Sequence, residues 1–353
     1  MTYFELRGIL NYMNKITFNP ATITKKLLNS LDERPRIVLV ERFGLNYSRP
    51  RTLESIGQNY GITRERVRQI ENFALNKIRQ SNEFSNLNDV FVEIKGLIDA
   101  EGGLVQQEDF LVSKTKDQDH KNHFLFLLVA GEPFEKIKED NHLHHSWTTN
   151  LERAGQIKNA IISFHNDMDE ETVFSETEVL SLLNKYMENI LREKIKEEIL
   201  RSFLKVSRLV RANPLGEWGL ATSPYIKPRG MRDYAFLVMR KHGSPMHFTE
   251  VAKAIQETFS RKAHIQTVHN EVIKDDKFVL VGRGLYALKE WGYQEGVVRN
   301  VIEKILSEES ALPKEEIIKR VLKERYIKEN TILVNLQNRN FFKKDKQGNY
   351  TLS

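Results

Sequence analysis

Four segments in the last 270 residues of the chain end in the same way, and this repetition limits the possible folds more than any other feature. Each segment runs through a strand-like stretch and a turn to an aromatic residue, usually with leucine two positions later. The aromatic residues are 71, 68 and 64 positions apart: Trp147, Trp218, Tyr286 and Tyr350. Because apolar residues alternate around turns that contain glycine, the sequence predicts a β-hairpin at these endings.

A short helix with a polar start precedes the hairpins. Three of these helices begin near Ser175, His247 and Pro313, and a degenerate counterpart begins near Gln106. Proline at the first helical position and acidic residues in the first turn are start signals for helices. Three helices and a hairpin in about 65 residues describe a winged helix. We therefore predict four tandem copies, at residues 84–149, 151–224, 228–292 and 294–353.

The segment ahead of the repeats has the pattern of a helix-turn-helix. Thr52 and Thr63 are suited to cap two successive helices, because a threonine hydroxyl can accept a hydrogen bond from a free backbone N–H. Gly61 lies between them, where a tight turn favours a residue that tolerates positive φ. The predicted fold is therefore mainly α: a helix-turn-helix domain at residues 1–82, followed by tandem winged-helix domains.

Charge and side-chain chemistry indicate what the second helix of this motif binds. Between Arg49 and Arg79 there are seven basic and three acidic residues, so this stretch carries +4 of the chain's net +6. At about 100° per residue, one helix face is apolar: Val67, Ile70, Ala74 and Ile78. The opposite face carries side chains suited to base edges in the major groove: Arg64, Glu65, Arg68, Gln69 and Asn72. A solvated helix face is the alternative, but the caps, the glycine turn and the local charge together favour DNA.

Two blocks of sequence, Glu41–Leu45 (ERFGL) and Thr63–Glu71 (TRERVRQIE), carry a family resemblance. Through them, residues 27–79 resemble region 4 of primary bacterial sigma factors. In that family the second helix of the motif reads the upstream promoter hexamer, and the preceding helices dock on a flap of RNA polymerase. The resemblance implies base contacts by three residues: Arg64, Glu65 and Gln69. It implies positions at or near phosphates for five others: Arg51, Thr52, Arg66, Arg68 and Lys77.

The third copy of the repeat, residues 231–292, resembles the HARE-HTH domain of chromatin proteins and restriction enzymes. The match rests on an apolar pattern that ends in the hairpin FVLVGRGLYAL, Phe278–Leu288. The HARE-HTH domain is similar to the N-terminal domain of the RNA polymerase delta subunit, and its members are thought to bind DNA or transcription proteins. The resemblance therefore implies a setting in transcription rather than one activity.

The third helix of this copy is predicted at His264–Ile273. Its buried side is expected to hold Ile265, Val268 and Val272, with Ile273 at the edge of that side. Two further DNA candidates face outward: Asn270 on the helix and Arg283 in the hairpin. A DNA contact and a solvated surface are both compatible with these two residues.

The charged stretch Glu188–Arg211 is predicted to be a single helix. Its basic second half, Lys205–Arg211, directly precedes the hairpin of the second copy and is interpreted as a recognition helix. The alternative is an exposed helix stabilised by ion pairs between residues four apart, each worth a few tenths of a kcal/mol.

Two patterns that suggest chemistry are better explained by structure. His142, His144 and His145 would alternate between the two sides of a strand, so they are interpreted as surface residues of a hairpin rather than as metal ligands. The triplet Glu93–Lys95 has the E-x-K form found in nucleases, but its neighbours follow a helical apolar stripe, so a solvated helix face is favoured. We expect no catalytic residue, metal, cofactor or small-molecule ligand.

Composition narrows the remaining possibilities. The chain contains no cysteine, which excludes disulfides, thiolate zinc sites and cysteine nucleophiles. The longest apolar run, Phe124–Ala130, is too short to span a membrane, and no signal peptide is evident, so a cytoplasmic protein at the nucleoid is predicted. The predicted function is transcription regulation by sequence-specific binding to double-stranded DNA. The alternative is an RNA polymerase-associated interaction protein that docks through residues 27–45, and an enzyme subunit ranks third.

Overall fold

A computed structural model describes residues 16–46, 49–293 and 297–353. The fold is mainly α, as predicted: helices make up 57%, and the strands form small antiparallel sheets. By their internal contacts the residues divide into two units, residues 1–211 with 218–221 and residues 212–217 with 222–353. Within the described ranges, no helix combines the length and the apolar character that crossing a membrane requires. The division into five domains is not tested by this partition and stays a prediction.

The first unit begins with four helices and one short helical turn. Asn19 caps the first helix by accepting from the backbone N–H groups of Ala21 and Thr22, and Gly44 ends the second helix with a φ of 65°. The elements are α1 (Pro20–Leu28), α2 (Glu33–Phe43), α3 (Leu53–Tyr60), α4 (Arg64–Arg79) and α5 (Asn82–Ser85).

The first copy of the repeat follows directly. Its three strands form an antiparallel sheet in the order β1-β3-β2. The elements are α6 (Asn88–Ala100), β1 (Leu104–Gln106), α7 (Gln107–Lys114), α8 (Gln118–Ala130), β2 (Glu135–Ile137) and β3 (Ser146–Thr148).

The second copy corrects one prediction. Its elements are α9 (Leu151–Asn166), α10 (Glu176–Leu191), α11 (Glu197–Val206), β4 (Val210–Ala212) and β5 (Trp218–Leu220). The predicted single helix over 188–211 is wrong, because α10 ends where Arg192 adopts a left-handed φ of 56° and α11 begins only at Glu197. The predicted recognition helix at Lys205–Arg211 is wrong as well. Lys205 lies in the last turn of α11, Ser207 is extended, and Arg211 lies on a strand.

The second unit contains the third and fourth copies. The third has a three-stranded sheet in the order β6-β8-β7, with a bulge between Leu280 and Gly282. Its elements are α12 (Met231–His242), β6 (Met246–His247), α13 (Phe248–Phe259), α14 (Ile265–Lys274), β7 (Phe278–Gly282) and β8 (Leu285–Leu288). The fourth consists of α15 (Val298–Glu308), α16 (Lys314–Glu324), α17 (Glu329–Leu336), β9 (Phe342–Lys344) and β10 (Tyr350–Leu352).

The repeated aromatic residues occupy the same place in all four copies. Each pairs with a residue that lies two positions before the start of a helix: Val105 with Trp147, Phe174 with Trp218, Met246 with Tyr286, and Leu312 with Tyr350. The helices that follow begin at Gln107, Glu176, Phe248 and Lys314. This shared register gives every copy the chain order of a winged helix and confirms the predicted fold class.

The helix-turn-helix and the first copy share one hydrophobic core. Phe43 at the end of α2 packs against Phe126 of α8, with ring centroids 5.3 Å apart. Asn122 of α8 donates to the carbonyl oxygen of Gly44 over 2.7 Å, and Arg79 at the end of α4 donates to the last carbonyls of α8. Because α8 is covered in this way, it serves as a platform for the helix-turn-helix.

Candidate nucleic-acid interface

The turn between α3 and α4 has the predicted helix-turn-helix geometry. The Thr52 hydroxyl accepts from the Ser55 backbone N–H over 3.1 Å, and the Thr63 hydroxyl accepts from the Arg66 N–H over 3.2 Å. Gly61 has a φ of 63°, which an L side chain rarely adopts. Gly57 is also required by space, since a Cβ there would lie 2.6 Å from the carbonyl oxygen of Ile62.

A small apolar cluster fixes α4 on the helices before it. Val38 of α2, Ile56 of α3 and Val67 and Ile70 of α4 are buried together. Farther along α4, Ala74, Leu75 and Ile78 enter the core shared with the first copy. The inner face of α4 is thus buried as predicted, and its orientation is set by two cores along its length.

The outward face of α4 brings together the three predicted base-contacting residues. Arg64, Glu65 and Gln69 are exposed within its first two turns. In the described part of the chain, the Arg64 guanidinium has no hydrogen bond or ion pair. The other two residues have neighbours on the same helix: Arg68 makes a fork of 2.9 and 2.6 Å with Glu65, and Arg66 donates to the Gln69 amide oxygen over 3.1 Å.

The Glu65–Arg68 pair has an electrostatic consequence. The hydrogen bond from Arg68 holds the pKa of the Glu65 carboxyl below its ordinary value. Glu65 therefore stays an anion, which can accept from the amino group of a cytosine but not donate. Because both partners are exposed, Arg68 can exchange Glu65 for a phosphate at little cost.

The predicted phosphate-contacting residues lie at two distances from this face. Arg51 and Thr52 are exposed at the start of α3, and Arg51 contacts Glu41 at 3.3 Å. Lys77 lies 13 residues after Arg64 on α4, which is about 20 Å along the helix axis. Lys77 also donates to Asp32 over 2.8 Å, and this contact lowers the pKa of Asp32. The structure thus gathers the first residues at one end of α4 and places Lys77 at the other.

Sequence reasoning missed the residues that support this face. Glu41 accepts a hydrogen bond from the Tyr60 hydroxyl over 2.8 Å as well as contacting Arg51. Arg42 lies 3.5 Å from Glu71 of α4. Burial raises the pKa of Glu71, and Arg42 acts in the opposite direction. The block ERFGL contains both Glu41 and Arg42, so the signal was present but its physical role was not.

The third copy supplies the remaining DNA candidates and one correction. Asn270 and Arg283 are exposed, and Asn270 accepts from the Gln266 side chain over 3.1 Å. Ile265 and Ile273 are 49% and 58% exposed, so the expectation that they belong to the buried side is wrong. Ile265 lies in the first turn, beyond the core, and Ile273 is turned about 100° from the buried Val272.

The patterns set aside as structural are also located. His145 accepts from the Glu139 backbone N–H over 2.9 Å, and His144 lies 3.5 Å from the Glu139 carboxylate. Glu93 projects from α6 and accepts two hydrogen bonds from Thr17. Across residues 16–46, 49–293 and 297–353, no three histidine, aspartate or glutamate side chains are grouped to hold a metal ion.

Two family models match the chain. The model described as "Sigma-70, region 4" matches residues 27–80. The HARE-HTH model, whose description ends in "restriction endonuclease HTH domain", matches residues 229–291. Both resemblances predicted from the sequence are confirmed. Both models describe helix-turn-helix domains, and neither describes a catalytic domain.

Curated relatives match the first of these regions. The RNA polymerase sigma factor SigA of Clostridium acetobutylicum is 48% identical over 64 residues. SigA of a Nostoc species is 51% identical over 65 residues, and SigA of a Bacillus species is 49% identical over 63. Each alignment covers 18% of this chain and 17% of the relative's length. Together with the family models, these matches indicate a DNA-binding helix-turn-helix protein.

Proposed function

We propose that this protein regulates transcription by binding specific sequences of double-stranded DNA, with α4 in the major groove. The observation that carries the proposal is the exposed face of α4, where Arg64, Glu65 and Gln69 lie within two turns of the helix start. The major groove is wide enough for an α-helix, and such motifs insert the first turns of their second helix. The expected location is the cytoplasm, at the nucleoid.

Each of these residues has a chemical role at a base edge or a phosphate. Arg64 would donate two hydrogen bonds to a guanine, Gln69 would pair with an adenine, and Glu65 would accept from a cytosine amino group. The phosphate contacts would come from residues that flank this face: Arg51, Thr52, Arg66, Arg68 and Lys77. These contacts fix the position of α4 on the duplex but carry no sequence information.

The proposal is tested by selecting preferred duplexes from a random pool and measuring their affinities. Arg64→Ala and Gln69→Ala should each weaken discrimination at one or two base pairs, by about 1–3 kcal/mol. Arg51→Ala is the matched comparison, because it should lower affinity for all sequences and reduce the salt dependence. The proposal fails if selection with the unaltered chain yields no preferred sequence.

A second function, docking on RNA polymerase through residues 27–45, is supported by one observation. A cavity of about 280 Å³ opens on α2, lined by Glu33, Arg34, Ile37, Val38, Tyr60 and Ile62. Its apolar floor and charged rim suit a partner with an apolar anchor. A pull-down of RNA polymerase that survives Arg64→Ala but is lost with Ile37→Asp would favour this function. Loss in neither variant would count against it.

A further inference from the structure

We propose that the fourth copy carries a second binding surface for duplex DNA, formed by α17 and the β9–β10 hairpin. We call it the C-terminal basic surface and define it by six residues: Lys328, Asn330, Gln337, Arg339, Lys343 and Lys346. All six are exposed. The surface shares no residue with the α4 interface, so it does not depend on the function proposed for that helix.

The cations of this surface differ from others in the same copy. On α15 and α16, Arg320 pairs with Glu309 and Glu316 at 2.8 and 2.9 Å, and Arg299 lies 3.6 Å from Glu303. By contrast, four cations of the surface have no ion pair or side-chain hydrogen bond among the described residues: Lys328, Arg339, Lys343 and Lys346. Exposed cations without carboxylate partners are available for phosphates.

The acidic residue of the hairpin turn does not neutralise these cations by pairing with them. Asp345 accepts from the backbone N–H groups of Gln347 and Asn349, over 2.8 and 2.9 Å. Its carboxylate therefore shapes the turn, in which Gly348 adopts a φ of 89°. Lys343 and Lys346 are left facing solvent on either side of it. The net charge of residues 326–348 is +3, from five basic and two acidic residues.

The outward face of α17 has the chemistry of base readout. Ile332 and Leu336 are buried, whereas Asn330, Thr331 and Gln337 are exposed. Amide side chains can donate to and accept from an adenine, and the exposed methyl groups of Val334 and Thr331 suit the methyl group of a thymine. Lys328 directly precedes the helix and Arg339 follows it, so cations flank both ends of this neutral polar face.

Duplex DNA fits the surface better than single-stranded nucleic acid does. Proteins that bind single strands stack bases on exposed aromatic side chains. The hairpin offers no such platform in its described residues: Phe342 and Tyr350 are buried, and the Lys344 ammonium lies 4.9 Å from the Tyr350 ring centroid. A helix flanked by cations, beside a basic hairpin, matches a groove bordered by two phosphate backbones.

The test measures binding of the full chain to a mixed-sequence 30-base-pair duplex, over a series of salt concentrations. It compares Lys343→Gln/Lys346→Gln with Lys304→Gln/Lys319→Gln, which removes the same charge from exposed positions of α15 and α16. The first variant should reduce the slope of log affinity against log salt by about 2, since each phosphate contact contributes about 0.9. The control should leave the slope unchanged. Thermal unfolding checks that both variants fold.

Repeating the comparison with Arg64→Ala and Gln69→Ala present separates this surface from the α4 interface. The residual binding should still depend on Lys343 and Lys346. Equal slopes for the two double variants would overturn the proposal, even if α4 proved to read a specific sequence. It would also be overturned if the Lys343→Gln/Lys346→Gln variant lost affinity for single-stranded RNA but kept its affinity for the duplex. A loss confined to RNA polymerase pull-down would overturn it too, because the surface would then belong to a protein partner.

Discussion

The third helices of the winged-helix copies differ sharply between the two units. In the first unit, α8 buries most of its residues, including Phe124, Phe126 and Leu127. In the second unit, α14 buries only Val268 and Val272, and α17 buries only Ile332 and Leu336. One chain order thus supports two uses, because a covered third helix joins domains and an uncovered one can meet a ligand.

The sequence of each helix explains which use it has. The second half of α8 reads HFLFLLVA, which is apolar around its whole circumference. A helix of this kind must be buried on all sides, so it requires a second domain to cover it. By contrast, α17 has a narrow apolar stripe and a polar remainder, which one small core satisfies. The exposed third helices are therefore the ones to examine for binding.

The largest expected effect tests the burial of α8. Phe124→Ala should destabilise the first unit by about 3–5 kcal/mol, because a fully buried aromatic ring is lost from the shared core. The ring packs against Phe110 and Phe18, with centroids 5.8 and 6.3 Å away. Hydrogen exchange in the peptides of α1, α6 and α8 measures the change.

Val334→Ala in α17 is the matched comparison. Its side chain is 59% exposed, so the same measurement on the second unit should change by less than about 0.5 kcal/mol. Equal costs for the two substitutions would contradict the distinction between covered and uncovered third helices.

An intermediate effect is expected where α11 packs on the first copy. Gly102 has a φ of 93°, and a Cβ there would lie 2.5 Å from Ile199 and 2.6 Å from Phe203 of α11. Gly348 has a similar φ of 89° but open space around it. Both substitutions by alanine strain the backbone, but only Gly102→Ala also forces α11 away.

We expect Gly348→Ala to cost about 1 kcal/mol and Gly102→Ala to cost about 1–3 kcal/mol more. Urea unfolding of the full chain, followed through hydrogen exchange of each unit, gives both values. If the two costs were the same, α11 would not be held tightly against this turn.

Local signals predicted much of this fold. The threonine caps and Gly61 located the helix-turn-helix, and the spacing of the aromatic residues located four hairpins. The break after Leu191 was missed because charged residues continue through it without a glycine or proline. The sharing of one core between α8 and the helix-turn-helix was also missed, since it depends on contacts between residues as far apart as Gly44 and Asn122.

The candidate site shows the same division between local and distant information. The outward face of α4 followed from helical periodicity alone, because it depends on one element. The contacts of Glu41 with Arg51 and Tyr60 could not be predicted, since those residues are 10 and 19 positions away in sequence. The unpaired cations near α17 were equally hidden, because pairing depends on which carboxylates the fold brings close.

The smallest expected effect concerns Lys205, which sequence reasoning assigned to a recognition helix. The structure places it in the last turn of α11, beside a cavity of about 340 Å³ that is also lined by Glu101 and the buried Lys114. Lys114 pairs with Glu101 at 2.9 Å, so this region is built to join the first two copies. Lys205→Gln should change duplex affinity by less than about twofold and leave the salt slope unaltered, whereas Lys343→Gln should reduce the slope by about 0.9. Equal reductions in anisotropy titrations would show that α11 also meets DNA, and the contrast between covered and uncovered third helices would no longer predict where this protein binds.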